Sequence, residues 1–528
     1  MTCHQKFRKL HLAVTAAAAL AIVAAAPSAF ADRPDDVSPD SRNLLWLGHT
    51  DLQGRTAYQP TLHTQMVGGQ KHVFLYVGHF GNQTKFDPTS GASEANGTSI
   101  VDVTDPRNPV QVAHIPTPGG GAQMARVCDG NTGTLGLSGH YYLLRNNNGG
   151  GGVKGSHEIY DVTDPAHPVF VSTVIGGLTA THKNWWECDT GIAYIVAGAG
   201  PTATSPDGWN TNQHIKVFDL RDPAHPAYVR DIGLVGQNPG SAVITATSGV
   251  HGPISIRNNP VTGEAINRIY VPYGTESNGV FQILDRRKVL PVSLGGTWDG
   301  SRPQNPTDDD LRALVVGSMD MTPTEGGHTA FPMFGVPLKH YQGFASNTTR
   351  DLVALISEET ANHCDNSPHF GYLVDTTRAQ DPDAASAAEN HPMVISTMQV
   401  FEDSAKPDFC TRGTRFGPHS TQESFYAPYW GKLLFIAYFD GGLRVFDIRD
   451  PYHPQEVAHF IPPLNPNVAP TTFDGQQFFD ISTDNAEVDD NGLIYIVDRL
   501  GGGADILQLN GCAKQIVDNG KECNNGKD

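Results

Sequence analysis

Residues Ser99–Ile115 read SIVDVTDPRNPVQVAHI, and the same phrase returns three times: EIYDVTDPAHPVFVSTV from Glu158, IKVFDLRDPAHPAYVRDI from Ile215 and LRVFDIRDPYHPQEVAHF from Leu443. Each copy runs a β-branched or alternating strand into Asp102, Asp161, Asp219 or Asp447. It then turns on Asp-Pro and starts a second strand after a further Pro, as turn chemistry requires. Worn copies follow the same outline, FQILDRRKVLPVSL around Asp285 and GYLVDTT around Asp375, the latter resumed at HPMVISTM from His391. A seventh, GADILQL, has Gln508 in place of the aspartate. The intervals are too long for one hairpin and suit four short strands with loops.

Working outward, each phrase is preceded by another strand: HVFLYVG, HYYLLRN, IAYIVAG, RIYVPYG, LVALISE, LLFIAYF and LIYIVDR. A less apolar segment stands before each of these. The order per unit is inner, second, third, outer. The last unit lacks an outer strand after Leu509, while residues 43–50, NLLWLGHT, form an orphan strand whose Leu47-Gly48-His49 matches Val112-Ala113-His114 and Val457-Ala458-His459. The expected fold is all-β: a seven-bladed β-propeller over residues 43–510, closed by the N-terminal strand. Closure protects sheet edges and predicts a monomer.

The phrase from the third strand into the Asp-Pro turn resembles the LVIVD repeat. The resemblance covers nearly all of residues 43–510 and implies an exported or surface β-propeller. It implies a scaffold and no particular reaction, since propellers host unrelated activities.

Residues 1–31 have the form of a secretory signal: Lys6, Arg8 and Lys9, an apolar run from Leu12 to Ala26, then Ala29-Phe30-Ala31. Residues 32–42 read as a linker and 511–528 as a polar tail. The formal charge of −19 becomes more negative still once that basic leader is removed, so nucleic acid and anionic membranes are poor partners. No later segment is long and apolar enough for membrane insertion. The expected location is exported, in the periplasm or outside the cell. Charged residues are 17%, against a usual value of about 25%, which argues against helical arrays. Removing Cys3 with the leader leaves Cys128, Cys188, Cys364, Cys410, Cys512 and Cys523, an even number suited to an oxidising compartment. Many pairings are formally open, free buried thiols included. Matching repeat positions favour 128–188, proximity favours 512–523, and 364–410 is left.

The Asp-Pro carboxylates recur in unit after unit at a turn, where Asp accepts backbone hydrogen bonds, so a structural role is expected. His167, His225, His391 and His453 sit before the turn Pro and belong to the periphery. The inner strands are different, because a propeller directs them to its centre. Their starts form a column: His63, Met124, His182, His251, His328, His419 and Asn485. Neutral imidazole suits transition metals, so His182, His251, His328 and His419, with His63 in the same column, are the candidate ligands, with iron or copper ahead of zinc. Four-histidine iron in carotenoid-cleaving oxygenases and the copper of methanethiol oxidase are architectural analogies only, since neither family's linear motifs occur. Glu423, Glu487 and the Glu358-Glu359 pair could orient a ligand or accept a proton. Trp185, Trp186, Phe331 and Phe334 could wall an apolar pocket. The insertion Arg286–Gly327, with a helix capped by Thr307 or a neighbouring Asp, could cover the centre as a lid.

Two functions of different class follow. One is a metal-dependent oxidoreductase acting on a small organic substrate. The other is a metal-free binding or scaffold propeller that recognises an envelope protein or glycan.

Overall fold

The computed structural model describes residues 39–523 apart from 131–138, 199–206, 246–248, 276–277, 323, 339–348, 366–368, 379–386, 401–408 and 474. The expected signal, residues 1–31, lies outside the described residues. The second through fifth repeat units each form one four-stranded sheet in the order inner, second, third, outer, for example Ala180–Trp186, Ile192–Gly198, His214–Asp219 and Ala227–Ile232. The first unit adds a fifth short strand at Gly121–Ala122. The last two units share one nine-stranded sheet, joined at the single pair Phe439↔Thr483.

The repeated phrase explains these sheets residue by residue. Second strands are buried along their apolar runs, completely so in Ile192–Gly198 and Leu433–Phe439, because those runs pack against neighbouring sheets on both faces. Third strands end on an aspartate that ties the turn: Asp102, Asp161, Asp219 and Asp447 accept the backbone N–H two residues on at 2.9–3.1 Å. The next aspartate repeats the device, and His167, His225 and His453 close it from the solvent side with Nδ1 at 2.9–3.0 Å. These acids and histidines are turn fasteners, as the repeat suggested.

Strand Leu44–Thr50 pairs antiparallel with Ala504–Leu509, so the two ends of the chain meet in one sheet. Within the linker expected over 32–42, Asp40–Arg42 is a strand that extends the outer edge beside Gln455–Ile461, and residues 32–38 lie outside the described residues. The expected tail also differs. Gly511–Asn519 is a helix whose Ala513 and Ile516 are buried with Leu44, Leu507 and Leu509, because two apolar residues three apart share one helix face. Three disulfides join Cys128–Cys188, Cys364–Cys410 and Cys512–Cys523.

The insertion Arg286–Gly327 is not a lid. It contains the capped helix Asp308–Arg312, with Thr307 and Asp310 forming a capping box, and it supplies the outer strand Val315–Asp320 of its own sheet. Spliced between third and outer strands, it packs at the rim. The Pro303 carbonyl accepts from Asp231 N–H at 2.8 Å and from Tyr228 O–H at 3.0 Å.

Gly48 passes so close to the Pro106 carbonyl that a Cβ there would overlap it. Gly48→Val should therefore push the closing strand off its sheet and lower the unfolding free energy by about 1–3 kcal/mol. Urea titration would measure the loss, and hydrogen exchange should localise it to residues 44–50 and 504–509.

Candidate metal centre

Separate repeat units bring four imidazoles into one run of ring contacts. His182 lies on Ala180–Trp186, His251 just before Ile254–Asn258, His328 on Gly327–Pro337 and His419 on Phe416–Thr421. Neighbouring ring centroids are 4.3 Å (182–251), 4.5 Å (251–328) and 4.2 Å (328–419) apart. The donor atoms of His182, His251 and His328 lie within 4.8 Å of one another, and so do those of His328, His419 and Glu358.

A shared local device aims three of them, His182, His328 and His419. The ladder register breaks between Thr181 and Asn184, between Gly327 and Thr329, and between Phe416 and Ser420. A bulge frees one residue from the pleat and redirects its side chain. The first inner strand breaks register between Ala57 and Pro60, so the residue it sends inward is Tyr58. His63 lies five positions on, in regular ladder opposite Phe74, edge-on to Tyr141 at 5.5 Å. The expected ligand role of His63 is thus corrected. The column was counted from the hairpin end of an unusually long inner strand, Ala57–Val67, whereas the register runs from the far end. Met124 is buried, its N–H donating to Asn146 Oδ1 at 2.9 Å, and Asn485 supports Tyr58, its Nδ2 donating to the Tyr58 carbonyl at 2.7 Å.

Each imidazole is held at Nδ1. Thr275 Oγ1 meets His251 at 2.9 Å, Thr329 Oγ1 meets His328 at 3.0 Å, the Gln123 amide meets His182, and His419 Nδ1–H donates to the Asp484 carbonyl at 2.5 Å. The Nε2 atoms are left for the centre. Those of His182 and His328 meet the Tyr58 hydroxyl at 3.2 and 2.8 Å, and that of His251 lies 3.7 Å from Glu358. His419 Nε2 is buried without a hydrogen-bond partner. With its Nδ1 proton committed to a carbonyl, that atom presents a lone pair, which is the state a metal ligand needs.

Electrostatics favour the same state. Burial first, then Lys183, Arg499 and the other imidazoles, holds His182, His328 and His419 well below the ordinary histidine range. His251 is lowered to about 3 by burial, with Lys183 and Arg499 adding to it. Burial pushes Asp484 up to about 7, against the pull of Arg499 at 2.9 Å. Glu358 is held by Arg415 Nη1 at 2.9 Å.

The remaining candidates separate. Glu359 turns away, accepting Ala361 N–H at 2.7 Å. Glu423 binds Lys183 Nζ at 2.8 Å and pairs with Arg126, while Glu487 accepts Ser424 N–H at 2.9 Å. This charged layer touches the centre through Thr329, whose Oγ1 is 3.4 Å from Lys183 Nζ. Trp185, Phe331 and Phe425 pack beside that layer, whereas Trp186 and Phe334 sit in apolar cores between sheets. Tyr58, Gln123, Thr275, Thr329, Asp484, Arg415 and Arg499 escaped the sequence reading, because their loops and strand ends carry no repeat signature.

A histidine that stays neutral when folded yet charges when unfolded destabilises the fold as pH falls. For His251 the loss should begin below about 6.5, the unfolded value, and continue towards 3. His251→Gln should flatten the stability profile between pH 6 and 4 by about 1 kcal/mol per pH unit. Urea midpoints of metal-free protein across that range would test it, and parallel profiles would contradict the assignment.

Residues 430–461 match the LVIVD repeat family. No curated protein matches the sequence. Among solved structures, the chain is similar to the Dos1 propeller at 12% identity and TM-score 0.42, over 89% of this chain and 96% of that one. It is also similar to Sqt1 of Chaetomium thermophilum, bound to the N-terminus of ribosomal protein L10, at 11% identity, TM-score 0.42, and 88% and 98% coverage. The Cps50 (Swd1) β-propeller domain of Myceliophteria thermophila follows at 10% identity, TM-score 0.40, and 84% and 95% coverage. Superpositions this loose carry no functional inference. The chain thus carries an LVIVD repeat at residues 430–461 within an all-β array of sheets.

Proposed function

We propose that this chain is an exported metal-binding propeller of seven blades, whose central cation is held by His182, His251, His328 and His419. One observation carries the reading: His328 stands in two overlapping donor clusters, with His182 and His251 and with His419 and Glu358, every Nδ1 of the four histidines is held by a separate group, and His419 Nε2 is buried without a hydrogen-bond partner. A cation would satisfy that lone pair. The nitrogen-rich donor set suits iron or copper ahead of zinc, and excludes calcium, which takes oxygen ligands. The seven-blade count treats the nine-stranded sheet as two blades, which the single bridging pair Phe439↔Thr483 supports.

The cation would supply redox or Lewis-acid chemistry to a small organic substrate, which makes an oxidoreductase the preferred class. The chain's own residues would orient the ligands through Gln123, Thr275, Thr329 and the Asp484 carbonyl, and keep them neutral by burial. Glu358 stands at the edge of the cluster, where it could accept a proton. Export is supported by the leader-like sequence and three disulfides, and among the described residues no helix is long and apolar enough to cross a membrane.

Plasma mass spectrometry of untagged exported protein should find about one equivalent of iron, copper or zinc, lost in His251→Ala/His419→Ala. Metal at about 100 times its Kd should also stabilise the fold by about 2.7 kcal/mol, raising the melting temperature of the parent and not of the variant. No bound metal after reconstitution would leave a metal-free binding propeller, with its partner to be sought by capture from envelope extracts.

A further inference from the structure

We infer that Tyr58 supplies a fifth, oxygen ligand to the cation held by the four histidines. The inference rests on the metal-centre reading above and adds to it a donor outside the histidine column. It also narrows the cation to one that accepts a phenolate.

The geometry is that of donors around a common ion. Two ligands at right angles, each about 2.0–2.2 Å from a metal, lie about 2.8–3.1 Å apart. The Tyr58 oxygen stands 2.8 Å from His328 Nε2 and 3.2 Å from His182 Nε2. Its ring is edge-on to His419 at 5.3 Å and to His182 at 5.5 Å. The hydroxyl is thus enclosed by the ligand rings themselves.

Nor can the side chain swing clear. Tyr58 is 3% exposed, its carbonyl is bound by Asn485, and its ring packs edge-on to Phe80 at 6.2 Å. An incoming cation must therefore bind beside a fixed oxygen. His419 Nε2 receives no donor in the free protein. His182 takes the Gln123 amide N–H at Nδ1, so its own proton faces the Tyr58 oxygen, and the hydroxyl proton goes to His328 Nε2. A cation in place of that proton meets the ring lone pairs and the oxygen together.

The charges around the oxygen are mixed: burial, Glu358 and Asp484 hold the free Tyr58 hydroxyl protonated, against Arg499 and Arg415, so that only a cation at the centre would release its proton. Arg499 Cζ lies 5.9 Å from the Tyr58 ring centre and bridges to Asp484, and Lys183 lies behind Thr329 and His328. Glu358, Asp484 and Arg415 complete the charged groups facing the cluster. On ligation the phenolic O–H bond breaks, an oxygen–metal bond forms, and the proton leaves to solvent. No electron is transferred in that step. Phenolate bound to ferric or cupric ion absorbs visible light by charge transfer, whereas phenolate on zinc, a closed-shell ion, does not.

The test uses the full mature chain, stripped with chelator and titrated separately with ferric citrate and cupric sulfate. The parent should take up about one equivalent and develop a visible charge-transfer band. Tyr58→Phe should still bind metal, with affinity lowered by about tenfold or more, and lack the band. Bound metal with no band, or a Tyr58→Phe variant with the parental band and affinity, would overturn the phenolate ligand while leaving the histidine centre standing. No uptake by the parent would overturn both. Should Tyr58→Phe fail to fold, resonance Raman of the parent with ring-deuterated tyrosine replaces it. Phenolate modes that shift on labelling support the ligand, and unshifted modes refute it.

Discussion

Antiparallel pairing of Leu44–Thr50 with Ala504–Leu509 holds both ends of the chain in one sheet, and the centre of the molecule depends on it. The candidate ligands come from positions 58, 182, 251, 328 and 419, far apart in sequence. No local interaction brings them together. They meet only because each repeat unit is a rigid sheet packed on its neighbours and the series closes on itself. The closing strand lies just before Tyr58, so the residue that enters the histidine cluster follows directly from the seam. The helix Gly511–Asn519 and the Cys512–Cys523 disulfide brace the same seam from outside.

At the centre, burial has opposite consequences for the two kinds of ionisable group. It favours neutral imidazole, which preserves the ligand lone pairs, and it raises the cost of the carboxylates beside them. The carboxylates are met by cations from neighbouring segments: Arg415 for Glu358, Arg499 for Asp484, and Lys183 with Arg126 for Glu423. Buried charges are tolerated only when paired in this way, since an isolated ion in a low-dielectric interior costs several kcal/mol. The result is a neutral nitrogen cluster inside a compensated ionic shell. Such a shell fixes the rings and keeps them neutral.

The insertion shows how position in a unit governs what a long loop can reach. Arg286–Gly327 looked long enough to cover the centre. Because it enters between the third and outer strands, its anchor points are at the rim, and Pro303 docks on the outer strand Ala227–Ile232. Length alone did not determine its place.

Strand order, the Asp-Pro turns, the closing strand and the four histidines that meet at the centre were legible in the sequence. All depend on local pattern: apolar alternation, turn residues at fixed offsets, and the repeat that carries one unit's reading to the next. His182, His251, His328 and His419 were found because they occupy the same local phrase. Tyr58 was not, because it replaces histidine in a unit whose inner strand is longer, and the break between Ala57 and Pro60 leaves no residue signature. The clamps at Gln123, Thr275 and Asp484, and the counter-charges at Arg415 and Arg499, were decided by tertiary structure alone. They act across sheets, where distance in space bears no relation to distance along the chain, and only the closed packing of those sheets makes them neighbours.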